Sequence, residues 1–370
     1  MKIAVDLTSL ADNFSGIERY AANMARSILR NGPKDKFVLV FKDFVFPWFE
    51  EFRGREEVEI CVIPSARWGK AAFSQIRLPW ALRHIEPDLV LFLAFPCPLL
   101  YRAASLSVVH DISCHDCPDT MTLKSRLMWR MLDGLAVADN RQVITVSEFS
   151  KARITEYYRK DPTQVTVAYC GIDHGLFNKH VGVGCEVEVS RRYNLPRHFF
   201  LSLSTIEPRK RLDLLVAAWA ELWREGAIDQ DLVLAGREGW KVGSLLSSVD
   251  LGVRAHIHFI GFVQDADLAV LYRMADAFVF PSRYEGFGLP PVEAQASGAH
   301  VLCSDIPSLQ EICQDRAAYF RSGDKADLKR ALTDPHLFDQ VNNELLGYSW
   351  DAGATTIMSL FRRVEDLGGN

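Results

Sequence analysis

The sequence predicts an α/β protein made of two units, each a parallel sheet covered by helices. Three observations carry that expectation. Short apolar runs alternate with stretches of helical periodicity, the pattern of parallel α/β layers. The same plan occurs twice along the chain. At 370 residues the chain is too long for one ordinary core and suits two domains of about 150 to 180 residues.

In the first half, strands are read at Ile3–Leu7, Phe37–Phe41, Val58–Ile63, Leu89–Leu93, Leu106–Val109, Val143–Val146 and Val165–Ala168. A helix is expected from Ile17 to Leu29, after the loop Asn13-Phe14-Ser15-Gly16. The turn-rich Cys170-Gly171-Ile172-Asp173 and the following Gly182-Val183-Gly184 have no periodicity and read as a linker near residues 170–190. The second half gives strand Phe199–Leu203, helix Arg211–Glu225, strands Leu232–Ala235 and His256–Ile260, and helix Asp267–Ala275. Strand Ala277–Phe280, a helix around Glu293 (Pro291 to Ser297), strand His300–Cys303 and helix Ser308–Cys313 follow. Domains are therefore expected at 1–175 and 190–348. Two such units imply a cleft between them, and ligands of open parallel sheets bind at the strands' carboxyl ends.

Composition excludes several functions. The net charge is −5 and neither half is strongly basic, which argues against nucleic acid as a partner. No apolar run approaches the roughly 18 residues that span a bilayer. The chain begins at once with a strand, without a signal-peptide pattern, and its eight cysteines are scattered in apolar contexts. Both features suggest a cytoplasmic protein with reduced thiols. The cluster His110-Asp111-Ile112-Ser113-Cys114-His115-Asp116-Cys117 has one C-x2-C pair but no second pair at zinc-site spacing, so Cys114 and Cys117 read as loop residues.

The most informative stretch is Glu285-Gly-Phe-Gly-Leu-Pro-Pro-Val-Glu293. Two carboxylates stand eight positions apart where a strand ends at a glycine turn and restarts as a helix. Such a turn leaves backbone N–H groups pointing at one spot, suited to a phosphate or to sugar hydroxyls. After the strand Phe199–Leu203, Arg209 and Lys210 stand as a pair of cations. Asp265-Ala266-Asp267 has the D-x-D spacing of a Mg²⁺ or Mn²⁺ site, but it opens a helix, where Asp caps the end and favours the dipole. No metal is therefore expected. The segment Thr122–Met131 mixes Lys124, Arg126 and Arg130 with Leu123, Leu127, Met128, Trp129 and Met131. It suits either an interfacial helix at a membrane or one that packs Leu127 and Met131 into the first domain.

On these residues the chain resembles the retaining glycosyltransferases of family 4, of the GT-B fold, and in particular enzymes of bacterial O-antigen and surface-polysaccharide synthesis. Glu285 to Glu293 matches their E-x7-E signature. His110-Asp111, Thr145-Val146-Ser147-Glu148-Phe149-Ser150 and Ser204-Thr205-Ile206-Glu207-Pro208-Arg209-Lys210-Arg211 match further segments in the family's order. The resemblance implies two Rossmann-like domains facing a deep cleft, with a helix over 350–367 crossing back to the first domain. It also implies a nucleotide-sugar donor, with the catalytic residues His110, Arg209, Lys210 and Glu285. Donor binding falls to Gly16, Phe262, Val263, Gly286, Phe287, Gly288, Leu289 and Glu293. The implied acceptor is a glycan or lipid-linked glycan, met at the inner-membrane surface; no cofactor is implied. Two departures stand out: the family's Gly-Arg pair reads Ser204-Thr205, and its Asn-Gly-Val-Asp reads Cys170-Gly171-Ile172-Asp173.

Chemistry accounts for the cations. Transfer from a nucleotide diphosphate sugar leaves charge on the departing phosphate, and fixed cations stabilise it as it develops. The resemblance, rather than any motif, favours GDP-mannose as the donor, with a GDP-linked deoxyhexose such as rhamnose, or a UDP-sugar, as alternatives. A nicotinamide dehydrogenase is disfavoured because no G-x-G-x-x-G follows the first strand. A non-catalytic sugar-nucleotide-binding subunit is disfavoured because Glu285, Glu293 and Lys210 are all present.

Overall fold

The computed structural model describes residues 1–10, 16–32, 35–65, 68–139, 142–237, 245–246, 249–342 and 344–368. The chain divides into two compact units, Met1–Gly171 with Tyr348–Asn370, and Ile172–Gly347. The passage falls at Gly171–Ile172. Part of the stretch read as linker packs on the second unit: Phe177 is buried with its ring centre 6.3 Å from that of Tyr272.

The first unit holds a seven-stranded parallel sheet. Its strands are β1 (Lys2–Asp6), β2 (Lys36–Lys42), β3 (Val58–Ile63), β4 (Leu89–Phe92), β5 (Ser105–Val108), β6 (Val143–Thr145) and β7 (Val165–Val167). They lie in the order β3-β2-β1-β4-β5-β6-β7. The central strands are buried along their length because helices cover both faces, so they read as unbroken apolar runs. In register, Val5 lies between Leu39 and Leu91. Helices α1 (Gly16–Asn31), α2 (Leu78–Ile85), α3 (Leu123–Asp139) and α4 (Glu148–Tyr158) belong to this unit.

The second unit contains helix α5 (Glu186–Tyr193) and strands β8 (Phe199–Leu203), β9 (Asp231–Ala235), β10 (Ile257–Gly261), β11 (Ala277–Phe280), β12 (Val301–Ser304) and β13 (Ala318–Phe320). Its helices continue as α6 (Leu212–Arg224), α7 (Asp265–Met274), α8 (Leu289–Ala296), α9 (Pro307–Cys313) and α10 (Lys325–Thr333). The parallel sheet runs β10-β9-β8-β11-β12-β13, so strand order reverses between β8 and β11. Its core gathers Trp219, Leu215, Ala277, Val279, Leu302 and Phe320. Strand β13 and helices α5 and α10 escape the periodicity reading; three residues, Ala-Tyr-Phe, are too few to show a pattern.

The last helix, α11 (Trp350–Gly368), belongs to the first unit. Ala354, Ile357, Leu360 and Phe361 are buried at helical spacing. Asp351 accepts from Ser27 Oγ and, at 2.6 Å, from Asn31 Nδ2, both on α1. The turn before it is tight. A Cβ on Gly171 would stand 2.0 Å from Trp350 N, so this position excludes any side chain.

Three expectations change here. Gln264, not an aspartate, occupies the N-cap of α7, and its side chain makes no capping hydrogen bond. Asp267 instead points inward and is buried, bound by Arg192 at 2.6 and 2.8 Å and by the Tyr193 hydroxyl at 2.8 Å. It ties α5 to α7, because the first helical turn here faces a neighbouring helix rather than water. On α3, Leu127 and Met131 do not pack inward: they are 57% and 49% exposed, while Asp133, Ala136 and Val137 are buried. Cys114 and Cys117 are buried at a single helical turn, Ser113–Asp116, rather than lining an open loop.

Gly171→Ala should destabilise the first unit by about 2–3 kcal/mol, since the backbone of Trp350 must move to admit the methyl group. Urea unfolding followed by tryptophan fluorescence measures this; an unchanged midpoint would show that the turn relaxes freely.

Candidate functional site

The site in the second unit follows from the strand order. At the reversal between β8 and β11, the loops leaving the two strands' carboxyl ends turn to opposite faces and open a crevice. The loop after β8 carries Arg209 and Lys210 on a short turn, Pro208–Lys210, and the loop after β11 carries Glu285. Arg211 closes the first loop at φ 52° before α6 starts at Leu212. The two loops are joined by backbone, with Arg283 N–H donating to Arg209 O at 2.9 Å.

The side chains converge on one carboxylate. Lys210 Nζ donates to Glu285 Oε1 at 2.6 Å, and Arg209 Nη1 lies 3.4 Å from Glu285 Oε2. Arg209 also reaches Glu207 at 2.8 Å and Tyr284 O at 3.1 Å. Glu285 is only 6% exposed. Burial alone would raise its pKa, but Lys210 and Arg209 outweigh that and hold the carboxyl below the usual carboxylate range. Lys210 Nζ further lies 5.5 Å from the Phe280 ring centre.

Beyond Glu285 the chain turns at Gly288, φ 95°, into α8. A Cβ at Gly288 would meet Leu309 at 2.7 Å, so both conformation and space require glycine. Pro290 and Pro291 remove two of the N–H groups that a helix start would otherwise offer, so only Gly288 and Leu289 supply amides there. Gly286, Phe287 and Leu289 are buried. Glu293 is buried on α8, one helical turn in, and accepts from the Tyr272 hydroxyl at 3.4 Å. At the end of β10, Val263 is buried and Phe262 is 43% exposed.

In the first unit His110 follows β5. Thr145 Oγ1 donates to Val109 O at 2.8 Å and Ser150 Oγ to His110 O at 3.2 Å, so the Thr145–Ser150 segment fixes the histidine's backbone. Ser147 caps α4 by accepting from Ser150 N at 3.0 Å. His110 Nε2 bonds Leu93 O at 2.9 Å, which makes Nε2 the protonated nitrogen and Nδ1 the acceptor. Burial pushes the imidazole down to about 4, against the opposing effects of Leu93 O and Asp111. The Tyr20 ring meets it edge-on at 4.8 Å. Gly16 opens α1 and is exposed; among the described residues a Cβ there would meet nothing within 4 Å. The preceding loop residues Asn13, Phe14 and Ser15 lie outside the described residues.

Among the described residues, no group of three or more His, Cys, Asp or Glu is placed to hold a metal ion. None of the helices is long and apolar enough to cross a membrane, again among the described residues. Arg237, directly after β9, escaped sequence reasoning. Its only signal there is a cation following Gly236 at a strand end.

Comparison with known proteins assigns the family. The model described as Glycosyltransferase Family 4 matches residues 14–176, and that of Glycosyl transferases group 1 matches residues 188–334. O-antigen chain mannosyltransferase B of Escherichia coli is 33% identical over 248 residues, covering 65% of this chain and 62% of the relative. The match thus spans less than two thirds of that relative's length. Among solved structures, sucrose-phosphate synthase from Thermosynechococcus elongatus superposes with a TM-score of 0.73 at 18% identity, covering 99% of both chains. HepE of Anabaena, in complex with UDP-glucose, gives a TM-score of 0.66 at 18% identity over the whole of both chains. Both share the GT-B fold of two Rossmann-like domains. With the two family models falling one on each half, the chain belongs to the family 4 glycosyltransferases.

Proposed function

We propose that this chain transfers a hexose from a nucleotide diphosphate sugar, with GDP-mannose as the donor, to a glycan or lipid-linked glycan of a surface polysaccharide. The observation that carries this reading is the meeting of Lys210, Arg209 and buried, ionised Glu285 at the strand-order reversal. Mannose is supported by the mannosyltransferase relative. A UDP-sugar is the second reading, favoured by the UDP-glucose bound to the structurally similar HepE.

In this reading Lys210 and Arg209 exchange part of their pairing with Glu285 and Glu207 for oxygens of the diphosphate. Arg209 forks onto two oxygens and Lys210 acts as a point charge. The bond from the sugar's anomeric carbon to the phosphate oxygen breaks, and its electron pair leaves with the diphosphate. The acceptor hydroxyl bonds the anomeric carbon from the same face, and its proton passes to the departing phosphate oxygen. The configuration is thereby retained, and the protein's task is position and charge rather than proton transfer. Glu293 takes the ribose hydroxyls, two donors onto one carboxylate. Glu285 stands by the sugar ring, and the Gly288 and Leu289 amides add to the phosphate site. We extend the reading to Gly16, Phe262 and Val263 as donor contacts, and to His110, whose Nδ1 accepts from a sugar hydroxyl. No metal enters the scheme. The exposed Leu123, Leu127, Met128 and Met131 of α3, beside Lys124, suit a lipid-linked acceptor at the inner face of a bilayer.

Lys210→Ala should lower turnover by a factor on the order of 100 or more, as when other charge-stabilising donors are lost. Glu293→Ala should weaken nucleotide binding by about 2–4 kcal/mol, read by calorimetry. Wild-type values in either variant would remove that residue from the site.

Transfer should survive excess EDTA, and proton NMR couplings should show the donor's anomeric configuration in the product. An inverted product, or activity lost to EDTA and restored by Mn²⁺, would contradict the mechanism.

The pH dependence follows from the two shifted groups. His110 titrates at about 4 in the folded chain against an ordinary 6.5, so it stays neutral over the physiological range. The rate profile should therefore show no inflection near pH 6.5. His110's own contribution to stability should fall as pH drops below 6.5, because the unfolded chain takes up that proton first, whereas Asp133, raised by burial to about 8, contributes in the opposite direction. Glu285, lowered by its cations, adds a further loss only as pH falls through the carboxylate range. An activity limb with an apparent pKa near 6.5 that disappears in His110→Gln would show a titrating histidine instead.

A further inference from the structure

Strands β9 and β10 lie beyond β8, on the side away from β11. Arg237 follows β9 and Phe262 follows β10, and the Arg237 guanidinium stands 5.8 Å from the centre of the Phe262 ring. Backbone bonds fix the pair. Gly236 N–H donates to Gly261 O at 2.7 Å, and Ile206 N–H donates to Arg237 O at 3.1 Å. Gly236 has φ 124°, and a Cβ on it would lie 2.0 Å from Ser204 O, so only glycine lets the end of β9 close on the loop that carries Lys210. The backbone of Arg237 is thus tied to that loop, and its guanidinium lies over an aromatic ring.

Two features of this pair have no use within the described residues. Phe262 leaves 43% of its surface exposed at a strand's carboxyl end. Arg237 Nη2 is buried and has no hydrogen-bond partner among the described residues. A buried N–H without an acceptor is unfavourable, so a ligand that supplies one gains by filling the place.

We propose that Arg237 and Phe262 form the seat of the donor's base, and that Arg237 selects guanine. The inference rests on the nucleotide-sugar reading above. With the diphosphate at Arg209 and Lys210, the nucleoside extends along the sheet's edge toward β9 and β10. An exposed aromatic ring gives a phosphate nothing, but it offers a base a stacking face. A guanidinium presents parallel N–H donors. Guanine matches them with O6 and N7 side by side, whereas adenine sets an amino donor beside N7 and uracil separates its O4 and O2 acceptors by the N3–H donor.

Calorimetry on the full chain with GDP, ADP, UDP and inorganic pyrophosphate tests the proposal. The wild type should bind GDP about tenfold or more tighter than ADP or UDP. Arg237→Met should lose on the order of tenfold to a hundredfold in GDP affinity while leaving pyrophosphate binding unchanged. Arg237→Lys should fail to restore the preference, because an ammonium does not fork. Equal losses for all three nucleotides and for pyrophosphate would make Arg237 a phosphate cation and overturn the proposal. A wild type that prefers UDP would overturn guanine selection while leaving the donor site standing. A wild type that binds pyrophosphate and no nucleotide would overturn the base seat alone. Binding of none of the four would overturn the donor site with it.

Discussion

Glu285 is a carboxylate removed from water, and in that position its proton would ordinarily stay on. Lys210 at 2.6 Å and Arg209 at 3.4 Å reverse the balance and keep it ionised. The dependence runs both ways. An uncompensated buried charge is costly, so each member holds the others in place, and removing one leaves its partners exposed to that cost. In the proposed reading the cluster is a set of charges already oriented when the nucleotide arrives. Little reorganisation remains for the moment at which the diphosphate takes on charge.

That arrangement depends on topology more than on any local motif. Lys210 and Glu285 are distant in sequence, and they meet because β8 and β11 are neighbours whose connections leave to opposite faces. Glycine completes the geometry at two points. Gly288 lets the chain turn at φ 95° into α8 and bring Glu293 round, and Gly236 lets the end of β9 close on Ser204. Prolines 290 and 291 then trade two helix-start amides for a rigid entry, which in the proposed reading leaves more of the anion's stabilisation to the cations.

Much of this was legible in the sequence, for physical reasons that can be named. Buried parallel strands are continuous apolar runs, so β8 and β11 could be bounded to the residue. Glu285 and Glu293 drew notice because carboxylates rarely sit among glycines and prolines without cause. What stayed hidden depends on neighbours that one segment cannot reveal. The Asp267 position looked like a cap, yet a partner helix supplies Arg192 and Tyr193 and turns it inward. Leu127 and Met131 share a helix face, but periodicity does not say whether anything covers that face. Arg237 means nothing until β10 brings Phe262 beside it.

The most direct measurement is a crystal structure of the chain soaked with GDP. The account predicts diphosphate oxygens within hydrogen-bond distance of Lys210 Nζ and the Arg209 guanidinium, with the ribose on Glu293. A nucleotide bound elsewhere at full occupancy, with Lys210 still paired to Glu285 and no phosphate near it, would contradict the account.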